Sequence, residues 1–299
     1  MRQAVDRYLA MRQAAGFDLV NAAYLLRSFA RAAAERGETY VRAATAIEWA
    51  NRGPSVAQRD ERLKTICRFA RYVQPEDGRH DVPPVKHFGT HKIRRVPHIY
   101  SRADITRLLD AARQLGPPER LHPHTYATLI ALLAATGLRI SEALSLQLID
   151  VTPRGLLIRK TKFQKTRLVP LHDTTQAGLD RYLTSRRQVN GDHVFVTVDG
   201  RPLRYRAVYP TFQTLVKLAG LVVVTGHRPR LHELRHTFAV RALETSPAGR
   251  QRIGQHMVAL ATYMGHVNIS ATYWYLETTP DLLREIATAS EAFLNGGQP

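Results

Sequence analysis

The chain has 299 residues, enough for two domains that each bury a core of their own. Its 43 lysines and arginines against 25 acids leave a net charge of +18. Self-repulsion of that size works against a compact metabolic enzyme, and a polyanionic partner accounts for it best, nucleic acid ahead of an anionic membrane surface. The excess is spread along the chain, +8 over residues 1–96 and +10 over residues 97–299, so two folded units rather than one basic tail are expected to face the polyanion.

A single cysteine, Cys67, excludes an internal disulfide and a multi-cysteine zinc module. It lies in an apolar helical stretch and reads as a small buried hydrophobe. The longest apolar runs, such as Ala127–Ala135, fall far short of the roughly 20 residues of a membrane span. The opening MRQAVDRYLAMRQ has no apolar signal-peptide core, so an intracellular protein with no membrane partner is expected.

In chain order, residues 1–73 read as helical. Val5, Tyr8, Leu9 and Arg12 recur at three and four, as do Leu25, Leu26, Phe29 and Ala33. A third helix is expected over Ile47 to Ala50 and a fourth through Leu63, Ile66, Cys67, Ala70 and Val73, with Gly37 and the Asn51–Pro54 stretch as punctuation. This makes residues 1–80 a small all-helical domain. Residues 81–98 carry Pro83, Pro84 and Pro97 without a helical period and read as an extended linker. Its Lys86, Lys92, Arg94 and Arg95 have no acid among them, which makes them candidate contacts to the polyanion.

Residues 99–299 form the second domain. Ser101 followed by Asp104 resembles a capping box. Tyr126–Thr136 reads as an apolar helix, Gly137 as its stop and Ile140–Leu146 as a second helix. Gly155–Arg159 and Arg167–Leu171 read as short strands around a charged turn, Lys160–Thr166, with a further strand at His193–Val198. The rest reads as mostly helical to Leu294. The fold class expected is therefore mainly α with a small β component.

No phosphate-binding glycine loop and no paired-acid nuclease cluster is visible in the sequence. Instead, arginine, lysine, histidine and tyrosine sit in four short segments: Ala135–Glu142 (ATGLRISE), RKTKFQKTRLVPL, Leu231–His236 (LHELRH) and Tyr263–Tyr275 (YMGHVNISATYWY). Cations to hold a phosphate, a proton donor and a hydroxyl nucleophile suit phosphoryl transfer.

Together these segments resemble the tyrosine recombinase (phage integrase) family, Xer-type resolvases included. The family's TGLR turn, with an acid three residues on, matches Arg139 and Glu142. Its hairpin lysine eight residues before the Pro of VPL matches Lys162, and its H-x-L-R box matches His232 and Arg235. Its L-G-H-like box, followed nine residues later by a tyrosine, matches Met264-Gly265-His266 and Tyr275.

The resemblance covers residues of about 100–280 by motif and implies a helical, SAM-like core-binding domain followed by a mixed α/β catalytic domain. It also implies that Arg139 and Arg235 grip the scissile phosphate of double-stranded DNA while Tyr275 attacks phosphorus. Lys162 would protonate the departing 5′ oxygen, His232 would handle the tyrosine proton, and His266 would add a donor. Glu142 would orient Arg139. The partners implied are duplex DNA and either a homotetramer on two DNA sites or partner recombinases. The resemblance further implies a reaction without metal, ATP or other cofactor, and a cytoplasmic, nucleoid-associated protein is expected. Arg159, Lys160, Lys165 and Arg167 are candidate DNA contacts around the hairpin.

Alternatives stay open at several positions. Arg139 and Glu142 at i,i+3 also suit a plain ion pair. Lys160 and Lys165 compete with Lys162 for the acid, and Tyr273 competes with Tyr275 for the nucleophile. His232-Glu233-Leu234-Arg235-His236 also satisfies the H-E-x-x-H zinc pattern, although Arg235 would sit beside the metal ligands.

The 31 residues from Arg235 to His266 exceed the compact Xer pattern, and the segment around Tyr275 resembles recombinases of multi-gene transposable arrays. Both point to a mobile element. An inactive DNA-binding accessory protein on the same fold is the rival reading. Beyond Tyr275, Leu282, Leu283, Ile286 and Phe293 form an apolar stripe that suits packing either on a neighbouring protomer or within the chain.

Overall fold

Amphipathic spacing in the first 73 residues produces four helices, α1 (Arg2–Ala14), α2 (Val20–Ala34), α3 (Ala43–Asn51) and α4 (Val56–Val73). The computed structural model describes residues 1–89, 96–159, 166–221, 228–245 and 250–265. The chain divides into two compact units, Met1–Arg95 and Val96–Pro299.

In the first unit Val5, Leu26, Phe29, Ala46, Leu63, Ile66 and Phe69 are fully buried in one core. Phe29 meets Trp49 edge-on at 5.7 Å between ring centroids, and Tyr8 meets Phe69 at 5.6 Å. Ser55 caps α4 by accepting from the Gln58 N–H at 3.3 Å. Cys67 is buried as expected. Its Sγ donates to the Pro83 carbonyl at 3.1 Å, and burial pushes the thiol up.

The start of the stretch read as a linker is bonded into this unit. The buried His80 accepts the Val41 N–H on Nδ1 at 3.0 Å, and the Asp81 N–H donates to the Val41 carbonyl at 2.8 Å. The Asp81 carboxylate caps α3 by accepting from the Ala43 N–H at 3.0 Å. Val82 and Phe88 pack against the core.

The second unit begins with α5 (Arg102–Arg113), opened by the expected capping box. Ser101 Oγ accepts from the Asp104 N–H at 3.0 Å, and the Ser101 N–H donates to Asp104 Oδ2 at 2.8 Å. The apolar helix α6 (Leu121–Thr136) lies in the core, with Leu129, Ile130, Leu132 and Leu133 all buried, and Gly137 ends it in the left-handed conformation at φ 60°. The short α7 (Ile140–Leu144) follows at once.

Strands β1 (Val151–Thr152), β2 (Gly155–Ile158) and β3 (Arg167–Val169) make an antiparallel sheet in that order, with Leu156 opposite Val169 and Ile158 opposite Arg167. The alternation buries Leu156, Ile158 and Val169 against the core. Helices α8 (Asp173–Arg186), α9 (Tyr205–Leu218), α10 (Glu233–Glu244) and α11 (Arg250–Met264) complete the described unit. A smaller apolar cluster of Ala239, Val240, Leu243, Met257, Leu260 and Met264 joins α10 to α11.

The strand expected at His193–Val198 does not form. Only isolated bridges link Gln147 to His193 and Val196 to Pro202. The backbone there is satisfied another way: the fully buried Arg186 guanidinium donates to the His193 carbonyl, the Tyr182 hydroxyl to that of Val194 and the Leu203 N–H to that of Phe195, while the Val194 N–H donates to the Leu146 carbonyl. Among the described residues no helix is long and apolar enough to cross a membrane.

Candidate active site

The site is built at helix ends. Gly137 carries φ 60°, and a Cβ there would fall 2.5 Å from the Phe238 ring on α10, so both backbone and space call for glycine. The resulting turn sets Arg139 directly at the start of α7. Its backbone N–H donates to Glu142 Oε2 at 3.0 Å and its Nη1 to Glu142 Oε1 at 2.8 Å. The ion pair suggested by the i,i+3 spacing therefore exists, and it is partly buried, with the Glu142 side chain only 7% exposed.

Arg235, buried on α10, ties two segments together. Its Nη1 donates to the Gly137 carbonyl at 2.6 Å and its Nη2 to the Met264 carbonyl at 2.8 Å. Arg139 Nη2 donates to the Gly265 carbonyl at 3.2 Å, and Arg167 Nε donates to the Tyr263 carbonyl at 2.9 Å. Three consecutive carbonyls at the C-terminal end of α11 thus each accept from a different arginine. Carbonyls of a last helical turn lack intrahelical donors and carry the negative end of the macrodipole, which is why guanidinium groups gather there.

His232 immediately precedes α10, its ring edge-on to His236 at 5.0 Å. Its side chain reaches the surface, yet the protein around it desolvates the imidazole and lowers its pKa, and the nearby Arg235 and Arg139 lower it further. His232 is therefore neutral at physiological pH and able to accept a proton. Burial raises the Glu142 carboxyl, but the hydrogen bonds and charges of Arg167 and Arg139 outweigh it and hold the group below the ordinary carboxylate range.

The acid of the H-E-x-x-H pattern is committed elsewhere. Glu233 is fully buried and accepts from the Arg230 N–H at 2.7 Å and from Arg230 Nε at 2.9 Å. A carboxylate held that way is a structural cap and not a base for a metal-bound water. Among the described residues no three His, Cys, Asp or Glu side chains gather to hold a metal.

Of the expected site residues, Arg139, Glu142, His232 and Arg235 are brought together. Lys162, His266 and Tyr275 lie outside the described residues, as do Lys92, Arg94, Arg95, Lys160, Lys165 and the alternative Tyr273. The apolar stripe of Leu282, Leu283, Ile286 and Phe293 lies outside them too. Lys86 is exposed on the first unit, and the half-exposed Arg159 pairs with Asp150. Arg167 departs from its expected place among the DNA contacts. Its side chain is 13% exposed, and both terminal nitrogens are spent on Glu142. Nothing in the spacing links residues 142, 167 and 263. The glycine closing α11 at position 265 was the one available sign of a close approach there.

Comparison with known proteins gives the family. The phage integrase family model matches residues 100–281. A Sinorhizobium fredii protein named as a putative integrase/recombinase, y4rB, is 38% identical over 298 residues, covering 95% of each chain. The tyrosine recombinase XerD of Caulobacter vibrioides is 31% identical over 244 residues, covering 79% of this chain and 75% of its own. In fold, the chain resembles the Tn1549 transposon integrase in complex with transposon right end DNA, at a TM-score of 0.66 and 18% identity over 95% of this chain and 99% of that one. It also resembles a lambda integrase tetramer bound to a Holliday junction, at a TM-score of 0.66 and 16% identity over 92% and 76%. The chain belongs to the phage integrase family, the tyrosine recombinases, and is a site-specific recombinase.

Proposed function

We propose that the protein cleaves and rejoins duplex DNA through a 3′-phosphotyrosyl intermediate, in the service of a mobile element. The observation that carries the reading is the convergence of Arg139, Arg235 and His232 near the last turn of α11, which leads directly to His266. Arg139 and Arg235 would bind the non-bridging oxygens of the scissile phosphate, where a planar guanidinium matches the geometry of a phosphate. Their orientation is already set by bonds to Glu142 and to backbone carbonyls.

In the proposed step the Tyr275 oxygen attacks phosphorus and gives its proton to neutral His232. The bond from phosphorus to the 5′ oxygen breaks, and Lys162 protonates the departing hydroxyl. His266 donates to the charge that develops on the phosphoryl oxygens. Religation is the same step reversed with the 5′ hydroxyl of another strand, so the energy of the cleaved bond is kept in the phosphotyrosine. Two sites held by a tetramer, with exchange through a Holliday junction, complete the proposed cycle. The stretch from Arg235 to His266 and the segment around Tyr275 support the mobile-element setting, as does the likeness over nearly the whole chain to an integrase/recombinase of Sinorhizobium fredii.

Trapping tests the reaction. Full-length protein is incubated with nicked duplexes from its native flanking DNA and quenched in SDS. The expected result is a covalent protein–DNA adduct, abolished by Tyr275→Phe and retained by Tyr273→Phe. Loss with Tyr273→Phe alone would move the nucleophile. Tight binding without any adduct would favour the inactive accessory protein.

A further inference from the structure

The sequence placed Arg167 among the groups that touch DNA, but its three nitrogens are turned inward. Nη1 and Nη2 fork onto the two oxygens of Glu142 at 3.1 and 2.9 Å, and Nε takes the Tyr263 carbonyl at 2.9 Å. Each oxygen of Glu142 also accepts from Arg139, one from its guanidinium and the other from its backbone. The carboxylate is thus fixed by two residues, and neither its plane nor that of the Arg139 guanidinium can turn while both hold.

Both side chains of the Arg167–Glu142 pair are largely buried, 13% and 7% exposed, where a paired charge is weakly screened. By contrast Arg159, at the far end of β2, leaves half its side chain in solvent. Gly265 is shaped to the same guanidinium: a Cβ on it would fall 2.7 Å from Arg167 Nη1. The register of β3, with Arg167 opposite Ile158, delivers the side chain to this spot.

We infer that Arg167 is a positioning residue for strand cleavage: it clamps Glu142 against Arg139 and, through the Tyr263 carbonyl, holds the turn at Gly265 that leads to His266. The inference rests on the proposed phosphotyrosyl reaction. Arg167 touches no DNA in this role. It acts through Arg139, which binds the phosphate, and through the chain that carries His266.

The test compares full-length wild type with Arg167→Lys and Arg167→Gln on a nicked duplex. It measures duplex binding, the single-turnover rate of adduct formation from pH 5 to 9, thermal stability and, without DNA, amide exchange over residues 260–265. Because Arg167 acts through Glu142 and has no phosphate contact of its own in the proposed step, binding is expected to change by no more than about threefold. The cleavage rate of Arg167→Gln is expected to fall about 100-fold, the scale of a misplaced reacting group. Arg167→Lys is expected to recover little, since an ammonium cannot fork across two oxygens while reaching a carbonyl.

In Arg167→Gln the Glu142 carboxyl loses one of the two residues that hold it low, so the rate is expected to drop more steeply than wild type on the acid side. A purely structural loss would lower the active fraction and leave the pH profile of the remainder unchanged. Exchange over 260–265 is expected to quicken. A variant that cleaves at the wild-type rate with the wild-type pH profile overturns the inference, and so does unchanged exchange. A wild-type protein that forms no adduct overturns the reaction itself, and the inference with it.

Discussion

Glu142 receives four hydrogen bonds from two arginines, and its titration follows from that crowd. A carboxyl held low in the folded state stabilises the fold above its ordinary pKa of about 4.3, and that contribution is lost as the pH falls through the lower folded value. Glu142→Gln is therefore expected to cost about 3 kcal/mol at neutral pH by leaving Arg167 without its partner, and to flatten the acid limb of the stability curve. Denaturant titrations at several pH values check both.

His80 gives the opposite case. Burial lowers its pKa, and its Nδ1 must stay unprotonated to accept the Val41 N–H. Its contribution is complete above the ordinary imidazole value of about 6.5 and is lost as the pH falls below it, because the unfolded chain takes up the proton first. His80→Asn keeps an acceptor in that place without titrating, so its melting temperature is expected to fall less than wild type between about pH 6.5 and 5. If His232 takes the tyrosine proton as proposed, its depressed pKa is expected to put the acid limb of adduct formation below the same ordinary value. A limb well above it would contradict a neutral base at this position.

At the scale of elements, what was legible depended on how local the cause was. Ser101 with Asp104 and the stop at Gly137 are written within four residues of the structures they make, and both were readable. Helix α3 begins four residues before its apolar signal at Ile47, because its cap comes from Asp81, 38 residues away. His193–Val198 looks like a strand by alternation, yet its carbonyls find scattered partners: Arg186 takes that of His193, the Tyr182 hydroxyl that of Val194 and the Leu203 N–H that of Phe195. In the site, Arg139, Glu142, His232 and Arg235 were legible because short motifs hold them. Arg167 was not, since its partners come from α7 and α11, and one basic residue in a basic stretch gives no sign of facing inward. Gly137→Ala tests the turn itself. Left-handed strain and the collision with Phe238 are expected to cost about 1–3 kcal/mol and to displace Arg139, lowering both unfolding free energy and adduct formation.

For the whole molecule, a charge of +18 divided between both parts of the chain is a statement about long-range attraction. Binding through phosphates makes the affinity fall steeply with salt, in proportion to the number of contacts made. Composition gave access to that much, but not to the candidate site, whose arginines come from separate segments that meet at the end of α11.

The most direct test of the central claim is to digest the SDS-trapped adduct and locate the nucleotide by mass spectrometry. The account expects the DNA 3′ phosphate on the peptide containing Tyr275 and a 5′ hydroxyl on the released strand. A 5′-linked adduct, or one on any residue other than Tyr275, would contradict it.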